Sequence, residues 1–218
     1  MTTAIIGTGS IGSTIARELA AGGEDVRLSS TNAKAAEALA TDIGTRAVGA
    51  ASNRDAVQGA DAVILALWLK DQQAVIGEIA DLLPGKLVVE TTNPIAVDAE
   101  GNVTRTLPDG QPSAEVVAGW LPRGAHFAKA FSSLPADLLA ASPNREPQRA
   151  VLFYTTDDEA AGAKVEQLID RAGFDPVRAG TISASGRIEV GGDLHPYGGL
   201  EGRVVELSEA SSLVAAAN

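Results

Sequence analysis

Residues 4–16 read AIIGTGSIGSTIA. Gly7, Gly9 and Gly12 stand in the pattern G-x-G-x-x-G, after the apolar run Ala4-Ile5-Ile6 and before a stretch of helical character. A strand, a glycine turn and a helix in that order open a βαβ unit, the context in which the motif reads as a dinucleotide cradle rather than an ordinary turn. Each glycine has a separate task. Gly7 permits the tight turn, Gly9 lets the backbone approach a pyrophosphate, and Gly12 lets the helix pack close to the strand. Thr8, Ser10 and Ile11 fill the intervening positions, and the helix N-terminus offers amide donors to an anion.

Outward from this loop, apolar runs alternate with helical stretches. Thr3–Ile6 reads as a first buried strand, Ser10–Ala21 as a helix ended by Gly22-Gly23, Val26–Leu28 as a second strand and Asn32–Thr41 as a second helix. A short strand near Arg46–Val48 and a helix near Arg54–Gln58 follow. Ala62–Leu67 is the strongest strand signal, Lys70–Leu83 an amphipathic helix closed by Pro84-Gly85, and Lys86–Glu90 a fifth strand. This alternation predicts an α/β fold of Rossmann type, a doubly wound and mostly parallel sheet, with ligands at the rim formed by the strands' C-terminal ends. Residues 91–112 read as a long polar excursion over that rim. Beyond it, Ser113–Leu121 reads as a helix, Ala125–Phe131 and Ala150–Thr155 as strands, Asp157–Ala172 as a helix and Asp175–Arg178 as an edge strand. Two regions are expected: a nucleotide-binding domain over 1–180, and a glycine-rich segment over 181–218 packing on or near the cleft and ending in a short helix.

Bulk properties bound the function. The chain has 218 residues, 45% of them hydrophobic and 21% charged, in the range of globular proteins. A formal net charge of -11 argues against a nucleic-acid partner, which demands clustered Lys and Arg. With no cysteine and two histidines, thiolate chemistry is excluded and no metal site is expected. No stretch has the length and apolarity of a membrane span, and the first residues lack the basic and apolar regions of a signal peptide; the expectation is a cytoplasmic protein without a membrane partner.

Selectivity between NAD and NADP is read at the end of the second strand, where an acidic residue would bind the ribose 2′-hydroxyl and repel a 2′-phosphate. Here stand Leu28-Ser29-Ser30-Thr31-Asn32, with no carboxylate. Hydroxyls and amides before a helix N-terminus favour an anion, which points to NADP. Thr31 or Asn32 also suits the N-cap of the second helix, and Lys34 and Arg54 are the nearest candidate cations. The nicotinamide belongs beyond the ends of strands four and five, at Ala66-Leu67-Trp68 and Thr92-Asn93-Pro94. Trp68 either walls the nicotinamide or an aromatic acceptor, or caps the core. Asn93-Pro94 forms a turn, and the Asn93 amide could orient the carboxamide. No residue reads as a catalytic acid or base, His126 and His195 included. Hydride passage between two stacked rings requires positioning more than proton transfer.

The stretch AIIGTGSIG, the acid-free SSTN, ETTNPI at strand five and FAKAFSSL at 127–134 together resemble the coenzyme F420-dependent NADP oxidoreductase family. The resemblance covers most of residues 1–180. It implies that NADPH gives a hydride to a deazaflavin (coenzyme F420) or flavin-type acceptor. It also implies that Ser29 and its neighbours bind the 2′-phosphate, while Asn93, Pro94, Ala130 and Phe131 flank the nicotinamide and the acceptor. Archaeal members carry Arg where Ser30 stands, and their C-terminal helix over the cleft is replaced here by GGDLHPYGGLEG. The expected slot is lined by Trp68, Pro94 and Phe131, the tail around His195 and Tyr197 closes over it on glycine hinges, and the partners are a small-molecule acceptor and a second copy in a homodimer. The alternatives are a reductase of a small carbonyl or imine, and a non-catalytic dinucleotide sensor.

Overall fold

The computed structural model describes residues 1–216. In chain order its strands are β1 (Thr2–Ile6), β2 (Asp25–Ser29), β3 (Ala47–Gly49), β4 (Ala62–Leu65), β5 (Leu87–Glu90), β6 (Ile95–Val97), β7 (Val103–Arg105), β8 (His126–Lys129), β9 (Val151–Thr155) and β10 (Asp175–Gly180). Its helices are α1 (Ser10–Ala21), α2 (Ala33–Ile43), α3 (Asn53–Val57), α4 (Leu69–Ile79), α5 (Ser113–Ala118), α6 (Ala136–Ala141), α7 (Glu159–Arg171) and α8 (Leu207–Ala215).

The eight-stranded sheet has the order β10-β9-β8-β5-β4-β1-β2-β3. From β3 across to β8 every pairing is parallel, with Ile6 beside Ser29 and Leu65, and Leu65 beside Glu90. The strand order reverses between β1 and β4, where the crevice of a doubly wound sheet opens. β9 meets β8 antiparallel, so β9 and β10 run against the rest. The fold class read from the alternation is therefore the observed one.

Both faces are covered, and side chains alternate between them. Ile5, Leu28, Ile64, Val89 and Ala128 face α1, α2 and α7. Ala4, Ile6, Val63, Leu65 and Val88 face the side of α4 and α5. Strands buried on both faces need continuous apolar runs, which is why AVIL at 62–65 reads so clearly. Two helix starts are fixed by side chains. The Ser52 hydroxyl accepts from Asp55 N–H, and the Asp158 carboxylate accepts from Ala160 and Ala161 N–H.

The segment read as an irregular excursion contains the two-stranded antiparallel ribbon β6–β7. Its turn is closed by Asp98, whose carboxylate accepts from the Asn102 side-chain amide and from Asn102 and Glu100 N–H, bonds that hold its carboxyl below the usual range. That Asx turn is the signal for the ribbon that composition hides. The helix after Pro135 is likewise unforeseen, and the amphipathic run to Leu83 breaks into a 3-10 turn at Ala80–Leu82.

After β10, residues 182–215 cross the β9–β10 end of the sheet and bury Ile188, Leu194, Leu200, Val205 and Ala210 against Val151 and Phe153. Among the described residues no helix is long and apolar enough to cross a membrane.

Candidate cofactor site

The turn after β1 has the geometry its glycines suggest. Gly7 adopts φ +101°, and a Cβ there would lie 2.2 Å from the Ala66 carbonyl oxygen; its N–H donates to Ser29 O at 2.8 Å. A Cβ on Gly12 would lie 2.0 Å from the Gly7 carbonyl oxygen, so Gly12 is the contact between α1 and the turn. Gly9 is different. Its backbone is extended (φ -71°, ψ -170°), and a Cβ would meet nothing within 4 Å. The space beside it is open. Gly9 is also the N-cap of α1, with no side-chain cap and no acidic residue in the first turn, so the first amides of α1 face that space without an internal anion.

A cavity of about 890 Å³ runs from this turn along the C-terminal rim, a size in the range of cofactor and ligand clefts. Gly7, Thr8, Gly9, Ser10 and Ile11 line one wall; Ser30, Thr31 and Asn32 line one end; Ala66, Leu67, Trp68, Thr92, Asn93 and Phe131 line the middle and far side. The structure thus brings together most of the residues singled out from sequence.

Four stand behind the wall instead. Gly12 is the packing contact just described. Ser29 is buried, with its hydroxyl donating to Asn53 Oδ1 at 2.8 Å, so it braces α3 rather than facing a phosphate. Pro94 is buried, and its carbonyl accepts from Thr106 N–H to hold the ribbon. Ala130 belongs to the core under α7. Ser29, Pro94 and Ala130 are buried in the fold and do not line the crevice, which a motif does not reveal.

At the β2 end, the Ser30 hydroxyl donates to Asn32 O at 2.7 Å and accepts from Asn32 N–H, which fixes the turn. Asn32 is the N-cap of α2 but makes no side-chain cap bond, leaving its amide and the exposed Thr31 hydroxyl toward the cavity. Lys34 is exposed nearby, whereas Arg54 is held by a two-point fork to Asp81 away from this turn. The unforeseen residues here are Ser52, Asn53 and Glu78, which line the same end; Asn53 Nδ2 donates to Glu78 Oε2 at 2.8 Å.

At the other end, Trp68 is 53% exposed, so it walls the cavity and does not cap the core. Thr92 Oγ1 donates to Leu67 O at 2.7 Å, tying the ends of β4 and β5 together. Asn93 is committed to structure: Nδ2 donates to Ser132 O at 3.1 Å, and Oδ1 accepts from Val190 N–H at 2.7 Å. It clasps the β8 exit to the C-terminal segment, which displaces the carboxamide-orienting role considered for it. Phe131 is buried with φ +59°, a strained conformation for an aromatic residue held at the cavity wall.

Beneath this rim lies a fully buried ionic cluster. Lys129 Nζ donates to Glu90 Oε2 (2.7 Å), to Ser113 Oγ (2.8 Å) and to Thr92 O. Glu189 accepts from Ser113 N–H (2.7 Å) and Oγ (2.9 Å), with Arg105 at 3.4 Å. Glu90 Oε1 also accepts from Thr92 N–H at 2.7 Å, and Lys129 Nζ lies 3.5 Å from Glu189 Oε1, so each buried charge is paired, as burial demands. The cluster joins β5, β7, α5, β8 and the C-terminal segment at one point.

That segment supplies Val190, His195 and Tyr197 to the cavity. Three of its glycines are close-packed rather than free, whereas a Cβ on Gly191 or Gly202 would meet nothing within 4 Å. A Cβ on Gly192 would lie 2.3 Å from Arg187 O, on Gly198 2.1 Å from Gly192 O, and on Gly199 2.7 Å from Asp193 O. Gly192, Gly198 and Gly199 allow stacked turns to pack backbone on backbone, so this part of the segment forms a wall of the cavity. His195 is buried, and Tyr197 N–H donates to its Nδ1 at 2.9 Å; burial pushes its imidazole down to about 4. His126 lies at the other rim, where β8 begins, bonded to Asp158 at 2.5 Å and far from this chemistry.

Residues 2–94 match the family model described as NADP oxidoreductase, coenzyme F420-dependent. A protein from Methanothermobacter marburgensis named F420-dependent NADP reductase is 32% identical over 142 residues, spanning 61% of this chain and 63% of that relative. The chain therefore spans less than two thirds of that curated relative's length. Among solved structures, a hypothetical protein from Sinorhizobium meliloti superposes with a TM-score of 0.81 at 31% identity, covering 95% of this chain and 96% of the other. A putative F420-dependent NADP reductase from Arthrobacter sp. FB24 superposes with a TM-score of 0.73 at 24% identity, covering 85% and 87%.

Proposed function

Since residues 2–94 match the model of the coenzyme F420-dependent NADP oxidoreductase family, we propose that this protein is an NADP-dependent oxidoreductase whose acceptor is a deazaflavin of the coenzyme F420 class. The observation that carries the reading is the open cradle at Gly9. It is the one motif glycine whose missing side chain serves nothing inside the protein, and it opens onto the uncapped start of α1. A pyrophosphate group fits that space and those amides.

The chain's own residues then divide the work. Gly7–Ile11 hold the pyrophosphate. Thr31, Asn32 and Lys34, at the start of α2 and with no carboxylate on the β2 exit, bind the 2′-phosphate. Glu78, fixed by Asn53, accepts from the adenine amino group at that end. Ala66, Leu67, Trp68 and Phe131 position the nicotinamide, and Trp68, Ile95, Val103, Leu134 and Val190 give the acceptor ring an apolar seat that excludes water. When bound, NADPH supplies two electrons as a hydride. No residue in this assignment moves a proton, and the strained Phe131 turn, clasped by Asn93, fixes the geometry on which transfer depends. Association into a homodimer belongs to the same proposal and is read by sedimentation velocity.

Titration with NADPH and NADH, followed by nicotinamide fluorescence, tests this reading. NADPH is expected to bind at least tenfold more tightly, about 1.4 kcal/mol. Equal binding would remove the 2′-phosphate assignment, and no binding of either would return the glycine turn to structure alone. Turnover of a small ketone or imine in place of a deazaflavin would change the acceptor class.

A further inference from the structure

Resting on the function proposed above, we infer that His195 is a catalytic residue that donates a hydrogen bond from its Nε2–H to the acceptor-ring carbonyl on which negative charge develops as the hydride arrives.

Three observations meet at this side chain. Tyr197 N–H donates to Nδ1 at 2.9 Å, so in the neutral ring the proton resides on Nε2. Nε2 is buried and has no hydrogen-bond partner among the described residues. The other buried polar atoms without a partner belong to Gln72, Ser132, Arg149, Thr155 and Ser185, and none of those residues lines the cavity; His195 does. A folded protein rarely leaves such a donor unsatisfied, and one on a residue that lines a ligand cavity is placed to take a partner there.

The segment that carries it is anchored at several points. Val190 is clasped by Asn93, Glu189 is bound in the Lys129 cluster, and the turns through Gly192, Gly198 and Gly199 are packed backbone to backbone. A donor fixed before reaction stabilises developing charge without reorganisation. Proton transfer is not its role. Its only basic nitrogen is occupied by Tyr197 N–H, and a neutral imidazole holds its N–H proton too firmly to release it.

The transfer served by this contact balances simply. The C4–H bond of the dihydronicotinamide breaks, its electron pair forms the new C–H bond on the acceptor ring, NADPH is oxidised and the ring reduced. The added charge spreads to the conjugated carbonyl facing His195, and the reduced ring takes its proton from solvent once it leaves the water-excluding seat.

The test uses the full chain with NADPH and a 5-deazaflavin as the probe acceptor. His195→Leu, which removes the donor, is expected to slow single-turnover hydride transfer about 100-fold, the typical effect of deleting one oxyanion donor. Its NADPH affinity, read by fluorescence, stays within about twofold. His195→Gln restores an N–H donor and most of the rate. In wild type, 15N spectra show the Nε2–H tautomer, and its resonance moves when the oxidised deazaflavin is added without any turnover. Any of four results overturns the inference: a wild-type rate in His195→Leu, an equal loss in both variants, an Nδ1–H tautomer in wild type, or an unmoved resonance in wild type. Absence of NADPH binding or deazaflavin reduction by wild type would instead overturn the function on which the inference rests.

Discussion

Replacing Gly9 and Gly12 by alanine separates a glycine kept for a ligand from one kept for the fold. Both stand at the start of α1 in one motif, yet their surroundings are opposite. At Gly12 a Cβ would sit 2.0 Å from the Gly7 carbonyl oxygen and 3.0 Å from Ala66 Cβ. An ordinary C···O approach is about 3.3 Å or more, so helix and turn must part by roughly 1.3 Å. Such overpacking costs about 1–3 kcal/mol, offset by up to about 1 kcal/mol of improved helix propensity. At Gly9 the backbone already suits an L-residue and the new methyl meets nothing within 4 Å. Loss of a favoured N-cap and reduced freedom of the unfolded chain nearly cancel there, leaving stability within about 1 kcal/mol. The methyl instead enters the pyrophosphate space and obstructs at least one charge-assisted hydrogen bond, of about 1.5–3 kcal/mol, or about 10–150-fold in NADPH affinity. Urea denaturation and NADPH fluorescence titration on both variants give the two readouts. The expected pattern is Gly9→Ala folded but deficient in binding, and Gly12→Ala deficient in both. Wild-type NADPH affinity in Gly9→Ala would refute the cradle, and wild-type stability in Gly12→Ala would refute the packing role.

Three further outcomes follow from the structure. Lys129→Met leaves Glu90 buried without its cation and Glu189 with Arg105 alone, which should cost about 3–5 kcal/mol in urea denaturation; adding Glu90→Gln should recover much of it. The depressed His195 pKa of about 4 means that below pH 6.5 the unfolded chain binds a proton that the folded one refuses. Stability then falls toward pH 4 by about 1.4 kcal/mol per pH unit from this group, and His195→Gln should flatten that share of the slope. Asp158→Ala removes the α7 cap and the bond to His126, and a loss of about 1 kcal/mol is expected in thermal unfolding with NADPH affinity unchanged.

The nucleotide-binding half was legible because buried parallel strands must be apolar throughout and because glycines mark the turns between them. AVIL at 62–65 and the motif at 7–12 both report local constraints, and local constraints are what a sequence displays. Ser29, Pro94 and Ala130 show the limit. Their place at strand ends is readable, but which face each side chain takes depends on register and bending at the rim. The ribbon at 95–105 was obscured by its polar turn, although Asp98 and Gly101-Asn102 carried the signal. The C-terminal wall was the least legible part. Residues 189–206 have neither helical nor strand period, and their course is set by long-range contacts: Asn93 to Val190, Lys129 to Glu189, and glycines packed on distant backbone. His195 could not be weighed without them, since only those contacts bring its side chain to the cavity.

The most direct test of the whole account is the fate of deuterium carried on C4 of NADPH, with each face labelled in turn, when the protein is mixed with a 5-deazaflavin. Transfer of the label from one face only, directly to the acceptor carbon, is the predicted result. Label lost to water, or no reduction of the deazaflavin despite tight NADPH binding, would contradict direct hydride passage across this cleft.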